Sequence, residues 1–145
     1  MNPAKPQYVM HNLQGVKFSP QGQVAQSLTA TSAQMFPNST DVLINQPNGK
    51  AYENGQELYH VQSVQARYSN KQKQVFFDQD VLFTKAAVGG KPVGTVKTSQ
   101  LQIDLPSQVA KTAQEVEYQY GDSTGSAIGF SYDKKNDVLH LDSRV

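Results

Sequence analysis

The sequence predicts an all-β chain, a sandwich, roll or barrel of antiparallel strands, and three observations carry that expectation. Helical periodicity is missing: no window of about 12 residues keeps apolar positions at i, i+3, i+4 and i+7 while avoiding Gly, Pro and β-branched residues. Strict apolar/polar alternation, which sends successive side chains to opposite faces of a sheet, recurs throughout. Turn-forming clusters separate the alternating runs at regular spacing.

In chain order, an opening strand runs from Tyr8 to Phe18 and stops at Ser19-Pro20-Gln21-Gly22. Leu28 and Ala30 then alternate with polar neighbours before Pro37-Asn38-Ser39, and Val42 and Ile44 do so before Pro47-Asn48-Gly49. Val64, Ala66 and Tyr68 lead to the turn Ser69-Asn70-Lys71; Val75 and Phe77, then Val81 and Phe83, lead to Val88-Gly89-Gly90-Lys91-Pro92. Leu101 and Ile103 precede Asp104-Leu105-Pro106-Ser107. The stretch from Pro106 to Tyr120 is ambiguous in length, yet Val116, Tyr118 and Tyr120 alternate with Glu115, Glu117 and Gln119, so it reads as strand. Gly121-Asp122 turns the chain into Ile128, Phe130 and Tyr132, and Asp133 to Asp137 turns it again into Val138 to Val145.

A repeat underlies these hairpins. Ala33-Gln34-Met35 leads to Val42, Ala66-Arg67-Tyr68 to Val75, Leu101-Gln102-Ile103 to Val109, and Phe130-Ser131-Tyr132 to Val138. A lone hairpin cannot bury its apolar face, whereas several side by side enclose a continuous apolar interior. That interior is either a self-filled core or a hollow one. The absence of Trp and the abundance of Ala, Val and Thr favour the hollow form, and the last strand, free of Pro or clustered Lys, is expected to leave an open edge for pairing.

Composition narrows the function. A chain of 145 residues with 37% hydrophobic and only 17% charged residues suits strands with one wet face. The formal net charge is +1 and the thirteen Lys and Arg form no run, which argues against nucleic-acid binding. With no cysteine, thiolate chemistry and Cys-based zinc sites are excluded. No apolar run approaches the roughly 18 to 20 residues of a membrane helix. The Pro-rich start is expected to be a flexible segment, residues 1–7, from which an upstream targeting or anchoring segment has been removed, followed by one domain over residues 8–145.

Nothing in the sequence assembles a catalytic or metal constellation, and no cofactor is expected. His11, His60 and His140 are isolated, Glu115 and Glu117 read as a solvated strand face, and Gly89-Gly90 reads as a hairpin tip rather than a phosphate cradle. Asn38-Ser39-Thr40 fits the glycan acceptor pattern, a short motif that arises often by chance. Gly22 and Gly121 supply positive φ in turns, with any functional weight following from shape.

The ordered set of signals resembles the LptC family of lipopolysaccharide-export proteins. It comprises Tyr8-Val9-Met10-His11-Asn12-Leu13, Ser19-Pro20-Gln21-Gly22, Leu28-Thr29-Ala30 with Ala33-Gln34-Met35, and Ile44-Asn45-Gln46-Pro47. It continues through Val61 to Tyr68, Val75 to Val81, Thr98 to Asp104, Tyr120-Gly121 and the closing hairpin, covering Tyr8 to Val145. The resemblance implies a twisted, V-shaped antiparallel β-jellyroll with an apolar lumen and open edge strands. It implies a periplasmic position, anchored to the inner membrane by an N-terminal helix absent here, and no enzymatic activity. Lipopolysaccharide would be received from LptB, LptF and LptG and passed to LptA.

By motif position Leu13, Ile44, Phe77 and Val138 match family positions facing acyl chains. Together with the alternation, the expected lining is Leu13, Val16, Leu28, Ala30, Val42, Ile44, Val64, Ala66, Tyr68, Val75, Phe77, Val81, Phe83, Leu101, Ile103, Val116, Tyr118, Phe130 and Val138. Gly22 and Gly121 match functional glycines. Tyr8 and Met10 are expected on an edge facing LptF and LptG, and Val138, Leu139, His140, Leu141 and Val145 on one facing LptA. Two alternatives stay open: an LptA-like soluble bridge of the same architecture, and a structural β-repeat with a solid core.

Overall fold

The structure, a computed structural model, describes residues 8–144; the N-terminal segment 1–7 and the edge residue Val145 lie outside them. Eleven strands form one antiparallel sheet: β1 (Tyr8–Phe18), β2 (Val24–Met35), β3 (Asp41–Asn45), β4 (Asn48–Glu53), β5 (Gln56–Gln62), β6 (Gln65–Ser69), β7 (Gln74–Lys85), β8 (Gly94–Asp104), β9 (Val109–Tyr120), β10 (Ser123–Asp133) and β11 (Val138–Arg144). No helix occurs among the described residues.

The register makes the topology simple. β3 continues into β4 and β5 into β6, because the pairs Glu53↔Gln56, Asn48↔Gln62, Asn45↔Gln65 and Asp41↔Ser69 belong to one long hairpin. β2 lies along this whole β3–β4 run, and β7 along the whole β5–β6 run. Each run therefore pairs with its chain neighbours, and the sheet is a meander whose outer strands are β1 and β11. The hairpin reverses at Asn54-Gly55, where φ of 53° and 79° gives the left-handed pair that a tight hairpin requires. The turn expected at Pro47-Asn48-Gly49 is corrected: Asn48 and Gly49 open β4, and the chain passes straight through.

A line of irregularity crosses the sheet. Asn12 (φ 54°), Gln46 (φ 53°), the Gln79-Asp80 pair (φ 68° and 51°) and Gly129 (φ 96°) leave the β region at positions that the pairing brings side by side. Register shifts fall on the same line, between Asp78 and Val81, Thr98 and Gln102, and Ile128 and Phe130. The broken ladder is bridged there by Gln46 N donating to Val64 O (2.9 Å) and Val64 N to Gln79 O (3.0 Å). Bulges bend strands and add twist, and when aligned they act as a crease. Strands of 11 or 12 residues, β1, β2 and β7 to β10, span it, so the strands are longer than the alternating runs suggest.

The crease divides the sheet into two leaves that face each other. The first leaf carries the row Met35, Val42, Tyr68, Val75, Ile103, Ala110 and Tyr132, and beside it Ala33, Ile44, Ala66, Phe77, Leu101 and Phe130. Ala33 and Met35, Ala66 and Tyr68, Leu101 and Ile103, and Phe130 and Tyr132, which open the four units of the sequence repeat, are laid across alternate strands, β2, β6, β8 and β10. The second leaf faces them with Val61, Phe83 and Val96 and with Ala51, Tyr59 and Lys85. Contact between leaves is direct: the Phe83 ring lies 5.4 Å from Phe130 and 5.7 Å from Tyr132, and Tyr59 lies 5.9 Å from Tyr132.

The repeat needs one correction. The return positions Val109 and Val138 pair with Asp133, on the row of Asp104, Gln74 and Ser69 that faces away from the interior. The inward places belong to Ala110 and Leu139, opposite Tyr132. The interval is seven residues in all four units, and reading it as six flips the side chain to the other face.

Candidate functional site: an apolar groove between the leaves

Between the leaves, near β1, lies an open cavity of about 440 Å³. The first leaf lines it with Val42, Ile44, Ala66, Tyr68, Val75, Phe77 and Ile103, joined by Leu105 from the β8–β9 turn. The second leaf contributes Leu13, Leu28, Gly49, Ala51, Tyr59 and Val61, with Lys17 and Gln26 towards its margin, while Val16, Ser27 and Lys50 border it from a register row whose side chains turn to the outer face. Phe77 reaches across the gap: its ring comes within 3.8 Å of where a Cβ on Gly49 would stand. Val42, Tyr68, Val75 and Leu28 are only half-buried, as expected of walls with no opposing side chain to cover them.

Towards β11 the interior closes. Tyr59, Phe83, Phe130 and Tyr132 form a packed aromatic cluster, and Val81, Phe83, Leu101, Val116 and Phe130 are at most 2% exposed. Burial pushes the Tyr59 hydroxyl up to about 12. The Tyr132 hydroxyl is raised by burial and by donating to Asp137 (3.0 Å). Asp137, in the β10–β11 turn, also accepts from Lys91 Nζ (2.7 Å) and lies 3.5 Å from Nζ of the buried Lys85 on the opposite leaf. Its carboxyl is held below the usual range, first by the Lys91 hydrogen bond. Among the described residues these are the ion pairs that join the free margins of the two leaves.

Both outer strands expose apolar side chains. On β1, Tyr8 is 60%, Met10 47% and Phe18 62% exposed; on β11, Val138 is 54% and Leu139 38% exposed.

The model of the family described as "Lipopolysaccharide-assembly, LptC-related" matches residues 1–145, the whole chain. The chain belongs to the LptC-related family. Its role is in lipopolysaccharide transport, within a family of periplasmic transport-bridge components. The fold is similar to a crystal structure of LptH from Pseudomonas aeruginosa, described as the LptA homologous periplasmic component of the conserved lipopolysaccharide transport device. The TM-score is 0.64 at 9% sequence identity, over 83% of this chain and 82% of that one. No curated protein matches the sequence. The jellyroll expected from the resemblance is thus the fold of this LptC-related chain.

The structure divides the expected lining of this LptC-related chain into groups. Leu13, Val16, Leu28, Val42, Ile44, Ala66, Tyr68, Val75, Phe77 and Ile103 border the groove. Ile44, Ala66, Phe77 and Ile103 among these are also buried in the core, which continues away from the groove through Val81, Phe83, Leu101, Val116 and Phe130. Ala30 packs against that core opposite Leu13, Val64 sits in the crease, and Tyr118 lies over Gly125. Val138 is corrected to the outer row for the register reason given above. Tyr59, Val61, Ala51 and Leu105 also border the groove and were not expected there. Tyr59 and Val61 do alternate with Leu58 and His60, but apolar Leu58 between them blurs the pattern.

Gly22 and Gly121 have φ of 82° and 59°, the turn role expected of them. A Cβ at Gly121 would stand 3.2 Å from Pro92 Cγ, whereas Gly22 has open space around it. His60 Nδ1 lies 2.9 Å from Glu57, whose carboxyl is lowered chiefly by that contact; His140 lies 3.3 Å from Asp142. No group of three His, Asp or Glu among the described residues could hold a metal ion.

Proposed function

We propose that the groove beside β1 holds acyl chains of lipopolysaccharide in transit. The observation that carries the reading is an open, apolar slot with a buried floor, Ile44, Ala66, Phe77 and Val61 among it, and with Leu28, Val42, Tyr68 and Val75 left half-exposed at its walls. Its volume falls within the roughly 300–1,000 Å³ of small-molecule sites. Each methylene leaving water contributes about 0.8 kcal/mol, so ten of them contribute roughly 8 kcal/mol before the cost of association. No directional contact is needed, and a chain can slide along such a wall with little change in energy. The protein on this reading is a non-enzymatic carrier in the periplasm, held at the inner membrane by a helix upstream of the jellyroll.

The exposed apolar strand β1 is the surface on which a neighbouring jellyroll of the LptB, LptF and LptG extractor would pair, and β11 the surface for LptA. Unpaired backbone groups along an outer strand are a template for strand addition. The aromatic cluster lies between the groove and β11, so a chain moving that way has to displace side chains or pass over their edge.

A photo-crosslinking residue at the half-buried Leu28, with exposed Glu117 as the control, tests the groove. Lipopolysaccharide is expected to give adducts at Leu28 alone; equal labelling at both positions, or none at either, rejects the reading.

A further inference from the structure

Two asparagines of the chain precede a glycine, Asn48 and Asn54. In such a pair no side chain shields the glycine amide nitrogen, which can close on the asparagine side-chain carbonyl and makes the asparagine labile. The fold treats the two pairs differently. Gly49 lies inside β4, paired with Leu28 on one side and Val61 on the other, and Asn48 Oδ1 is buried. Asn54 and Gly55 are exposed and form the two-residue turn between β4 and β5, beyond the ladder that ends at Glu53↔Gln56.

At the other described asparagines, either the nitrogen that would attack or the amide itself is engaged, or a bulky residue follows. The nitrogens after Asn38, Asn45 and Asn136 donate to Phe36 O (3.3 Å), Val64 O (2.9 Å) and Lys134 O (3.4 Å). Asn70 Oδ1 accepts from Lys73 Nζ (2.8 Å), and Asn12 is followed by Leu13. Gly55 N–H, by contrast, makes no hydrogen bond among the described residues. A Cβ built on Gly55 would meet nothing within 4 Å, so the Asn54 side chain can swing onto that nitrogen unobstructed. Exposed turn tips are also where local backbone motion concentrates.

We propose that Asn54 is a site of spontaneous covalent modification, converted by the neighbouring Gly55 nitrogen to aspartate and isoaspartate while Asn48 is protected by the sheet. The Gly55 nitrogen bonds to Asn54 Cγ, the Cγ–Nδ2 bond breaks, and Nδ2 leaves as ammonia with the proton given up by the Gly55 nitrogen. Water then opens the cyclic imide at one of its two carbonyls. Opening at Cγ yields aspartate; opening at the main-chain carbonyl leaves Gly55 joined through the side chain, which is isoaspartate. No oxidant, reductant or cofactor enters the balance. The product carboxylate stands in the cleft that Asn54 lines together with Glu53, Glu57, Tyr132, Lys134 and Asp137, so a neutral position beside the joined margins of the leaves becomes negative. Isoaspartate also adds a methylene to the main chain of a two-residue turn whose length fixes the β4–β5 register. The inference is independent of what the groove holds.

Peptide mapping by mass spectrometry after prolonged incubation in mildly alkaline buffer tests it, on the folded protein and on the protein unfolded in guanidinium chloride. The N54D variant supplies the aspartyl peptide as a reference, from which the isoaspartyl peptide separates on chromatography. In the folded protein Asn54 should convert at least about tenfold faster than Asn48, which reacts only through opening of the β4 ladder. Isoaspartate should be among the products, and in guanidinium chloride the two asparagines should react at similar rates. Equal conversion of both in the folded protein, or an inert Asn54, overturns the proposal. So does a preference for Asn54 that persists undiminished in the unfolded chain, since the fold would then select nothing. Aspartate formed without isoaspartate overturns the imide route.

Discussion

Replacing Asp137 with alanine withdraws one carboxylate from three partners in different surroundings. Lys91 is 49% exposed and turns to water. The Tyr132 hydroxyl loses its acceptor inside a half-closed site, a loss of about 1 kcal/mol. Lys85, whose side chain is 5% exposed, keeps a charge with no counterion nearer than solvent. Stripping one partner from a fully buried pair costs about 3–5 kcal/mol, but Asp137 itself is 43% exposed, so water enters and about 1–2 kcal/mol is the appropriate share. D137A should therefore lose about 2–3 kcal/mol, a fall of roughly 8–10 °C in melting temperature for a chain of this length. K85M removes the charge along with its need for a partner and should change stability by less than about 1 kcal/mol. Adding K85M to D137A should restore part of the loss. Thermal and urea unfolding of the four proteins measure the cycle. A D137A melt within about 2 °C of the parent, or a K85M loss larger than that of D137A, would show that the leaves are not joined at their margins in this way.

The other predictions concern the core, the backbone and acid. F83A should cost about 3–5 kcal/mol by cavity formation, whereas L28A, at a half-open wall, should cost about 1 kcal/mol yet weaken binding of an alkyl chain; urea titration and lipid binding separate the two. G129A puts a Cβ at φ 96° against the Asp142 side chain and should be more destabilising than G22A, where φ is 82° but space is open; melting curves rank them. Asp104 is lowered first by its contacts with Ser107, Asp133 first by the hydrogen bond from Asn136, and Asp137 first by Lys91. With folded values below the unfolded ones, their stabilisation is present above the ordinary carboxylate range and is lost as pH falls through it. Melting temperature should thus drop between about pH 5 and pH 3, and D104N should drop less steeply than the parent.

Local chemistry determined what could be read in advance. Alternation marked the strands, and Asp104-Leu105-Pro106-Ser107 and Gly121-Asp122 marked reversals, because side-chain period and turn conformation are set by neighbours in sequence. The recurring Ala33, Ala66, Leu101 and Phe130 marked a row across the sheet. The crease was hidden: Gln46, Gln79 and Asp80 adopt positive φ through non-glycine side chains, and only the pairing of distant strands shows that they align. In the β10–β11 turn, an interval of seven residues rather than six puts Val138 outward and Leu139 inward. Nor could alternation tell groove from core. Phe77 and Phe83 look alike in sequence and both are buried, but one borders the open groove beside Gly49 and the other meets Phe130 and Tyr132.

That last difference bears on how a jellyroll can hold a lipid and still fold. Apolar walls left uncovered contribute less burial than a filled interior, and a chain of this size has little to spare. Here the deficit is confined to the half beside β1, while Tyr59, Phe83, Phe130 and Tyr132 concentrate the interior contacts in the half beside β11, where Asp137 also joins the margins. The crease lets the leaves diverge at one end and meet at the other without breaking the meander. Emptiness and stability are thereby assigned to different strands. Small substitutions at Leu28 or Val42 should accordingly alter ligand capacity with little change in melting, and substitutions at Phe83 or Phe130 should do the reverse.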